Sequence, residues 1–396
     1  MFETLQAVPA DAILGLGALF RADTNPGKVD LTVGVYRDGS GITPVMQAIA
    51  AAEREVIAQQ KTKVYLPPRG IDGYLDETTR LVLGAEHSAL ERTASIQTPG
   101  GSGALRLAAD LLLRAQPQQS LLISDPSWPN HRPLLSVAGM KVDSYPYFNT
   151  AQQSLQTAAM IDRLEQASAG TVVLLQASCH NPSGADPGEG EWRDIIECIE
   201  RRRLLPFFDL AYQGLGESLT ADAAPVRLAA QRLPEVLIAV SASKNFGLYR
   251  ERTGALLIVT NERERRPVLE SNLAQIARRI YSMPPAHGGL LAERVMTNAA
   301  LRQSWQAELD AMAKRLRSLR AGLADALSAI DSDRDYGWLR KQRGMFSLLG
   351  LSPEQVARMR DQHHVYVVGD SRINIAGLTE NTTEKVAQAI VAVSRS

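Results

Sequence analysis

Three observations predict an α/β fold with a mostly parallel sheet covered by helices on both faces. Short apolar runs recur at L-L-I-S from Leu121, V-V-L-L-Q from Val172, L-P-F-F-D ending at Asp209, L-I-A-V-S ending at Ser241 and A-L-L-I-V-T from Ala255. Most of these runs end in polar, Gly or Pro residues, and amphipathic stretches separate them, as buried strands alternate with crossover helices. The residues with chemical potential sit at the ends of the runs, and in such sheets ligands gather outside the carboxyl ends of the strands.

The chain has 396 residues, enough for two domains or one large domain with an appendage. Leu301, Trp305, Leu309, Met312, Leu316, Leu319, Leu323 and Leu327 recur at three- and four-residue steps. They predict one long helix with a single apolar stripe, a strut between two domains. Beyond it, G-M-F-S-L-L-G from Gly344 and V-Y-V-V-G-D-S-R-I-N-I-A-G from Val365 read as strands of a smaller α+β unit. No internal repeat or low-complexity segment interrupts the pattern.

Lys+Arg and Asp+Glu each number 43, so the formal net charge is zero. That balance argues against a nucleic-acid or membrane partner, and the short runs Arg201–Arg203 and Glu262–Arg266 read as solvated faces. Two cysteines, Cys179 and Cys198, make no paired framework and fit a reducing compartment. The opening residues lack a basic leader with an apolar core, and no uncharged stretch has spanning length. The expectation is a cytoplasmic protein with no metal site.

The most informative stretch is S-A-S-K-N-F-G-L-Y-R-E-R-T-G, Ser241 to Gly254. It sets Lys244 just after an apolar run, between Ser241 and Arg252. A lysine at a strand end, beside groups able to hold an anion, suits a Schiff base to a phosphate-bearing aldehyde cofactor. A surface lysine beside a loop explains Lys244 taken alone, so the other segments carry the case.

T-P-G-G-S-G-A-L-R, Thr98 to Arg106, sets glycines ahead of a helical run. Gly101 and Ser102 can offer backbone N–H groups to a phosphate at a helix N-terminus, although a Gly-rich cap needs no ligand. The segment is not a Walker loop, because no Gly-Lys-Ser/Thr follows. S-D-P-S-W-P-N-H, Ser124 to His131, follows a strand. Trp128 could lie flat on an aromatic ring or pack in the core. His131 reads as a structural histidine or as a support for a ligand-binding group at the strand end.

S-C-H-N-P-S-G-A-D-P, Ser178 to Pro187, closes another strand. The proline after Asn181 favours an extended backbone there, which aims its side chain, although a plain turn reads the same way. F-F-D-L-A-Y-Q-G, Phe207 to Gly214, brings Asp209 out of an apolar run with Tyr212 three residues on. A carboxylate leaving a strand needs a cation, a metal or a protonated ring nitrogen beside it. Facing a pyridine nitrogen, it would keep that nitrogen protonated and the ring an electron sink. A helix N-cap at Asp209 is the simpler alternative.

Taken in order, these five segments resemble the class I aminotransferases that use pyridoxal 5′-phosphate, in their bacterial aspartate/aromatic amino-acid branch. The likeness runs from M-F-E-T-L-Q-A-V-P-A-D-A-I-L-G-L to S-R-I-N-I-A-G. It implies the fold type I architecture of pyridoxal-phosphate-dependent transferases, a large domain with a mostly parallel seven-stranded sheet between helices plus a smaller α+β domain. The implied boundaries are an N-terminal arm at 1–11, a small domain at 12–43 and 312–396, and a large domain at 44–311.

The resemblance also implies roles. Lys244 is similar to the Schiff-base lysine that moves the proton, and Asp209 to the partner of the pyridine nitrogen. Asn181 and Tyr212 match the residues that hydrogen-bond the cofactor's phenolic oxygen. Gly101, Ser102, Ser241 and Arg252 match the phosphate cup, and Trp128 the stacking tryptophan. Tyr65, in V-Y-L-P-P-R-G, resembles the tyrosine that reaches the neighbouring subunit's phosphate. Arg372, in D-S-R-I-N-I-A-G, matches the arginine on the substrate α-carboxylate. Arg278, in A-R-R-I-Y-S-M-P-P-A-H-G, matches the one that grips a side-chain carboxylate across the dimer interface. Gly34, in V-G-V-Y, matches a mobile glycine beside the substrate. Arginine suits both carboxylate positions because it binds such groups bidentately.

The implied activity is ping-pong transfer of an amino group from an aromatic or dicarboxylic L-amino acid to 2-oxoglutarate or a related 2-oxo acid, by a homodimer with shared active sites. Met283 stands where aspartate-preferring relatives usually carry asparagine, Gln176 where relatives often carry histidine, and Ser102 replaces a common threonine. Ser102 and Y-L-P-P-R-G lean to the aromatic branch. V-G-V-Y-R-D, Thr43 and P-P-A-H-G lean to the aspartate branch, so the reading is dual specificity. The alternatives are a lyase, decarboxylase or cyclopropane-forming synthase of the same fold, or an inactive binding protein that keeps it.

Overall fold

The computed structural model describes residues 1–7 and 12–395, with side chains described outside 12–14. Residues 8–11 of the expected N-terminal arm and residue 396 lie outside the described residues.

In chain order the strands are β1 (Val29–Asp30), β2 (Thr93–Pro99), β3 (Ser120–Asp125), β4 (Lys141–Pro146), β5 (Phe148–Asn149), β6 (Ser154–Leu155), β7 (Val172–Gln176), β8 (Leu205–Leu210), β9 (Val236–Ser241), β10 (Thr253–Val259), β11 (Phe346–Leu348), β12 (Val365–Tyr366) and β13 (Arg372–Asn374). Seven form one sheet in the order β2-β10-β9-β8-β7-β3-β4. Strands β9, β8, β7, β3 and β4 are mutually parallel, and β10 is antiparallel to both its neighbours. This is the mostly parallel seven-stranded sheet that the resemblance implies, and five of its strands are the apolar runs of the sequence. The remaining strands pair as β1 with β12, β11 with β13, and β5 with β6.

Side chains alternate across each strand, so one sheet feeds two apolar layers. Phe207 and Leu237 pack with helices Gly100–Ala115 and Arg265–Ile280 on one face. Phe208, Leu210 and Ile238 enter the other layer, with helices Asp72–Leu83, Glu189–Arg202 and His287–Thr297. Phe207 and Phe208 are both fully buried, and each contributes about 2–3 kcal/mol by leaving water.

Two sheet strands do not announce themselves in the sequence. Strand β2 reads T-A-S-I-Q-T-P, and its polar residues break the apolar run although nearly all of it is buried. They are satisfied across the fold, as where the Gln97 side chain accepts from Ile71 N–H at 3.0 Å and donates to Pro285 C=O at 2.9 Å. Strand β4 lies at the sheet edge and is largely solvated.

The predicted long helix is present as Ala299–Ile330, and the Asn298 side chain caps it by accepting the N–H groups of Ala300 and Leu301. Its stripe reaches the loop after β9. The Trp305 indole N–H donates to Asn245 C=O at 2.7 Å, and its ring stacks on Phe246 with centroids 4.4 Å apart. The two residues that follow Lys244 are thereby gripped from outside the sheet. Among the described residues no helix is long and apolar enough to cross a membrane.

The antiparallel insertion of β10 brings its start against the ends of β9 and β2. A Cβ on Gly254 would lie 2.5 Å from Val240 O and 2.6 Å from the Gly100 carbonyl carbon. Only glycine fits between those two backbones, which explains the T-G pair at Thr253.

The loop after β7 is tied down by Asp186, whose carboxylate accepts the N–H groups of Cys179 at 2.7 Å and His180 at 2.9 Å. Burial pushes this carboxyl up to about 6, against the opposing pull of those hydrogen bonds. A raised carboxyl contributes stability that is full below its unfolded value of 3.8 and is lost as pH rises through about 6. Asp186→Asn removes the titration. Its deficit in urea midpoint against the parent chain should shrink between pH 4 and pH 6.5, by on the order of 1–2 kcal/mol. A gap that holds constant across that range would exclude the ionisation.

Candidate active site

The carboxyl ends of β3, β7, β8 and β9 open on one side of the sheet, and a cavity of about 210 Å³ lies there. Eleven of the thirteen expected residues line it: Gly34, Gly101, Ser102, Trp128, Asn181, Asp209, Tyr212, Ser241, Lys244, Arg252 and Arg372. Tyr65 and Arg278 are not among them. Tyr65 is 84% exposed and borders a separate groove with His287 and Arg294. Arg278 is exposed and its guanidinium rests on the Ser282 hydroxyl and, at 3.5 Å, on the Met283 sulfur.

Lys244 sits in the tight turn after β9, closed by Gly247 N–H donating to Lys244 C=O at 3.2 Å. Its Nζ lies 4.9 Å from the centroid of the Tyr212 ring. Burial pushes this ammonium down, nearby Asp209 opposes the shift, and the Arg252 charge adds to it. A larger share of neutral, nucleophilic amine follows.

Asp209 lies inside β8, on the same face as Phe207, and does not cap a helix. Its Oδ2 takes a hydrogen bond from His131 Nε2 at 3.0 Å. His131 opens the helix His131–Ala138 and so stands beyond the end of β3, where the sequence had suggested it. It is fully buried, and its edge meets the Trp128 ring at 5.1 Å between centroids. A buried carboxylate whose one hydrogen-bond partner among the described residues is a histidine is a strong acceptor aimed at the cavity.

The other end of the cavity is built to take an anion. Helix Gly100–Ala115 begins there, and its first N–H groups have no partner within the helix. Gly100 has φ of +69°, and a Cβ on it would lie 2.6 Å from the Arg252 guanidinium. Arg252 donates to Ser243 Oγ at 3.2 Å and to Tyr249 C=O at 3.2 Å, with no carboxylate within ion-pair distance among the described residues. Ser102, Ser241 and Ser243 add hydroxyls. This donor-rich set fits a phosphate group.

Arg372 lies at the start of β13, with its guanidinium 4.4 Å over the Phe346 ring. It donates to Asn181 Oδ1 at 3.1 Å and Thr32 C=O at 3.1 Å, while its Nε has no partner. Burial pulls the guanidinium down from its usual range. An arginine buried without a carboxylate has room in its valence for one from a ligand. Asn181 Nδ2 in turn donates to the Tyr212 hydroxyl at 3.5 Å, and burial pushes that phenol up.

Five lining residues were not singled out for the site from the sequence: Leu105, Gln176, Ala211, Ser243 and Phe346. Ser243 could have been found, because it stands next to Lys244 in S-A-S-K. Phe346 is brought in by the pairing of β11 with β13, which no local pattern signals. Gln176 was noticed only as a departure. Its side chain clamps the backbone of Asn181, accepting its N–H at 2.9 Å and donating to its C=O at 2.9 Å. The Asn181–Pro182 peptide is cis. No group of three or more His, Cys, Asp or Glu side chains among the described residues is arranged to hold a metal ion.

Removing the clamp leaves two buried backbone groups without partners. Gln176→Ala should lower the stability of the protein by about 2 kcal/mol, read as a denaturation midpoint. A loss within about 0.5 kcal/mol would mean that water replaces the clamp.

Comparison with known proteins agrees with this geometry. Residues 26–390 match the family model described as aminotransferase class I and II. An aromatic-amino-acid aminotransferase of Pseudomonas aeruginosa is 44% identical over 99% of this chain and 98% of its own. An aspartate aminotransferase of Escherichia coli is 41% identical over 99% of this chain and 100% of its own. The structure of an aromatic-amino-acid aminotransferase of Burkholderia pseudomallei, covalently bound to pyridoxal phosphate, superposes with a TM-score of 0.97 at 41% identity, covering 99% of each chain. On the match across nearly its whole length, the chain belongs to the class I and II aminotransferase family.

Proposed function

We propose that the protein is a pyridoxal 5′-phosphate-dependent aminotransferase of the aspartate/aromatic type, working in the cytoplasm as a homodimer with shared active sites. The observation that carries the proposal is the common cavity of Lys244, Asp209 and the Arg252 cradle, with Arg372 at its side. The bound cofactor supplies an aldehyde for the amino group and a ring that accepts negative charge from the substrate Cα.

Each side chain has one task. Gly101, Ser102, Ser241 and Arg252 hold the phosphate. Trp128 packs flat on the ring, and Asn181 with Tyr212 donates to its phenolic oxygen. Asp209 keeps the ring nitrogen protonated. Arg372 takes the α-carboxylate of the substrate, beside Gly34. Lys244, partly neutral at working pH, lifts the Cα proton and holds it on Nζ until it is returned. Both half-reactions use one cavity, so an amino acid and a 2-oxo acid such as 2-oxoglutarate enter in turn. The small domain is assigned to 12–43 and 312–396 and the large domain to 44–311, with the arm at 1–11.

Two substrate classes follow from what holds Arg278. Its contacts are a hydroxyl and a thioether, and the thioether is a weak acceptor that a carboxylate displaces easily. A dicarboxylic substrate takes the guanidinium. An aromatic substrate leaves it on Ser282 and packs against Met283, with few polar groups to strip of water. Tyr65 and Arg278 serve the partner's cavity.

Lys244→Ala should lose the visible absorption band that appears on adding the cofactor, and nearly all turnover with glutamate, in a spectrophotometric titration and a coupled assay. A variant that keeps both would sink the reaction proposed. A second experiment addresses sharing. Lys244→Ala and Arg278→Ala chains are purified apart, mixed and allowed to exchange. The mixture should recover about a quarter of wild-type activity toward aspartate, because half the dimers carry one intact site. No recovery after verified exchange would place each site within a single chain.

A further inference from the structure

The carboxylate that faces the cavity is the end of a longer chain of hydrogen bonds. His131 Nδ1 meets Ser127 Oγ at 2.8 Å. Ser124 Oγ donates to Ser127 Oγ at 3.1 Å and meets His180 Nε2 at 3.0 Å. His180 Nδ1 meets Ser183 Oγ at 2.8 Å, and Ala185 N–H donates to Ser183 Oγ at 3.2 Å. Ser124, His131, His180 and Ser183 are all buried.

We infer that Ser183, His180, Ser124 and Ser127 form a one-way hydrogen-bond relay that ends, through His131, on Asp209, with Ser124 and His180 as positioning residues for the reaction proposed above. The inference rests on that reaction only for its kinetic consequence.

The direction follows from counting protons. Asp209, ionised, can only accept, so His131 donates from Nε2. Ser124 has one proton and gives it to Ser127, so toward His180 it accepts. Ser127 therefore has its own proton left for His131 Nδ1. Full burial drives the His180 imidazolium well below its usual range, so that ring is neutral. A neutral ring that donates from Nε2 must accept at Nδ1, and Ser183 supplies that proton. Ser183 is satisfied in turn by Ala185 N–H. Every donor in the series points toward Asp209, and no member is left without a partner.

Such a chain stabilises the carboxylate without placing a formal charge near it. Each bond polarises the next, by about 10–30% per link in condensed phases. The hydrogen bond from His131 Nε2 holds the carboxylate in one orientation. The distant ring is itself held in place: Tyr147 stacks on His180 with centroids 4.0 Å apart, and the Tyr147 hydroxyl donates to Ala185 C=O at 2.8 Å. The far end of the relay lies in the loop that carries Asn181, so the groups on both sides of the cavity share one support.

The test uses nitrogen-15 NMR of histidine-labelled protein without cofactor, with His131 and His180 assigned by single substitutions. Both rings should be neutral with the proton on Nε2. Ser124→Ala should move the ring resonances of both. In the loaded enzyme it should lower kcat about fivefold to tenfold, the worth of one buried hydrogen bond, with KM changed less than about twofold. Ser124→Thr, which keeps the hydroxyl, should restore most of the rate. A His180 proton on Nδ1 overturns the relay. So does a fall in kcat with the His131 resonances unmoved, which is damage of another kind, and so does a rate that does not fall. If the wild type fails to transaminate, the proposed function fails, and the tautomers still decide the relay.

Discussion

The structure depends on a carboxylate buried inside a sheet, that of Asp209. Moving a bare carboxylate out of water costs several kcal/mol, and a chain spends that only where something repays it. Asp209 sits on β8 at the one place where such a group can be both buried and useful, the carboxyl edge of a parallel sheet. There the strands stop, the backbone turns away, and a cavity opens without breaking the ladder. The parallel order of β3, β7, β8 and β9 gathers four such ends side by side. The antiparallel β10 then contributes its beginning, so that Arg252 arrives on the same edge from the opposite chain direction. Anion and cation are brought to one cavity by topology, and Lys244 feels both.

The loop after β7 joins that edge to the β11–β13 pair. Gly184 lies under it with φ of +69°, and a Cβ there would lie 2.2 Å from Phe346 O. Gly184 C=O accepts Arg343 N–H at 2.7 Å. The fully buried Arg320, from the long helix, donates to the carbonyls of Gly344 and Phe346. Its guanidinium thus replaces the water those carbonyls would otherwise need. Phe346 carries Arg372 on its face, and Arg372 returns to Asn181 on the loop. The support is a closed circuit of backbone and side chain, which holds Arg372 in place without an opposing carboxylate to compete for it.

Much of this could be read in the sequence, and the reasons for success and failure differ by residue. Lys244, Asp209 and Asn181 were legible because each follows an apolar run, and a strand end is a place that a linear pattern marks. The long helix was legible through the spacing from Leu301 to Leu327. Strand β2 was not, because its polar side chains are satisfied by residues such as Ile71 and Pro285, far away in the chain. Strand β4 was not, because a solvated edge has no apolar signature. Phe346 and the clamp of Gln176 on Asn181 depend on tertiary pairing and on turn geometry, and neither leaves a period. Tyr65 and Arg278 could be named only by resemblance. One chain leaves both exposed and away from its own cavity.

The cations of the site show how a binding surface is kept ready. Lys244, Arg252 and Arg372 have no carboxylate within ion-pair distance among the described residues, although the chain has as many acids as bases and pairs many of its surface arginines. Withholding an ion-pair partner from the buried Arg372 works against the stability of the empty fold. Local rules are broken in this way where a ligand is meant to complete them. A phosphate at Arg252 and a carboxylate at Arg372 would supply the missing anions, and whatever binds the folded chain alone stabilises it by mass action. The same logic explains why Arg278 rests on a hydroxyl and a sulfur. A firm salt bridge there would have to be broken before any anion could be taken up, and two weak contacts cost little to leave.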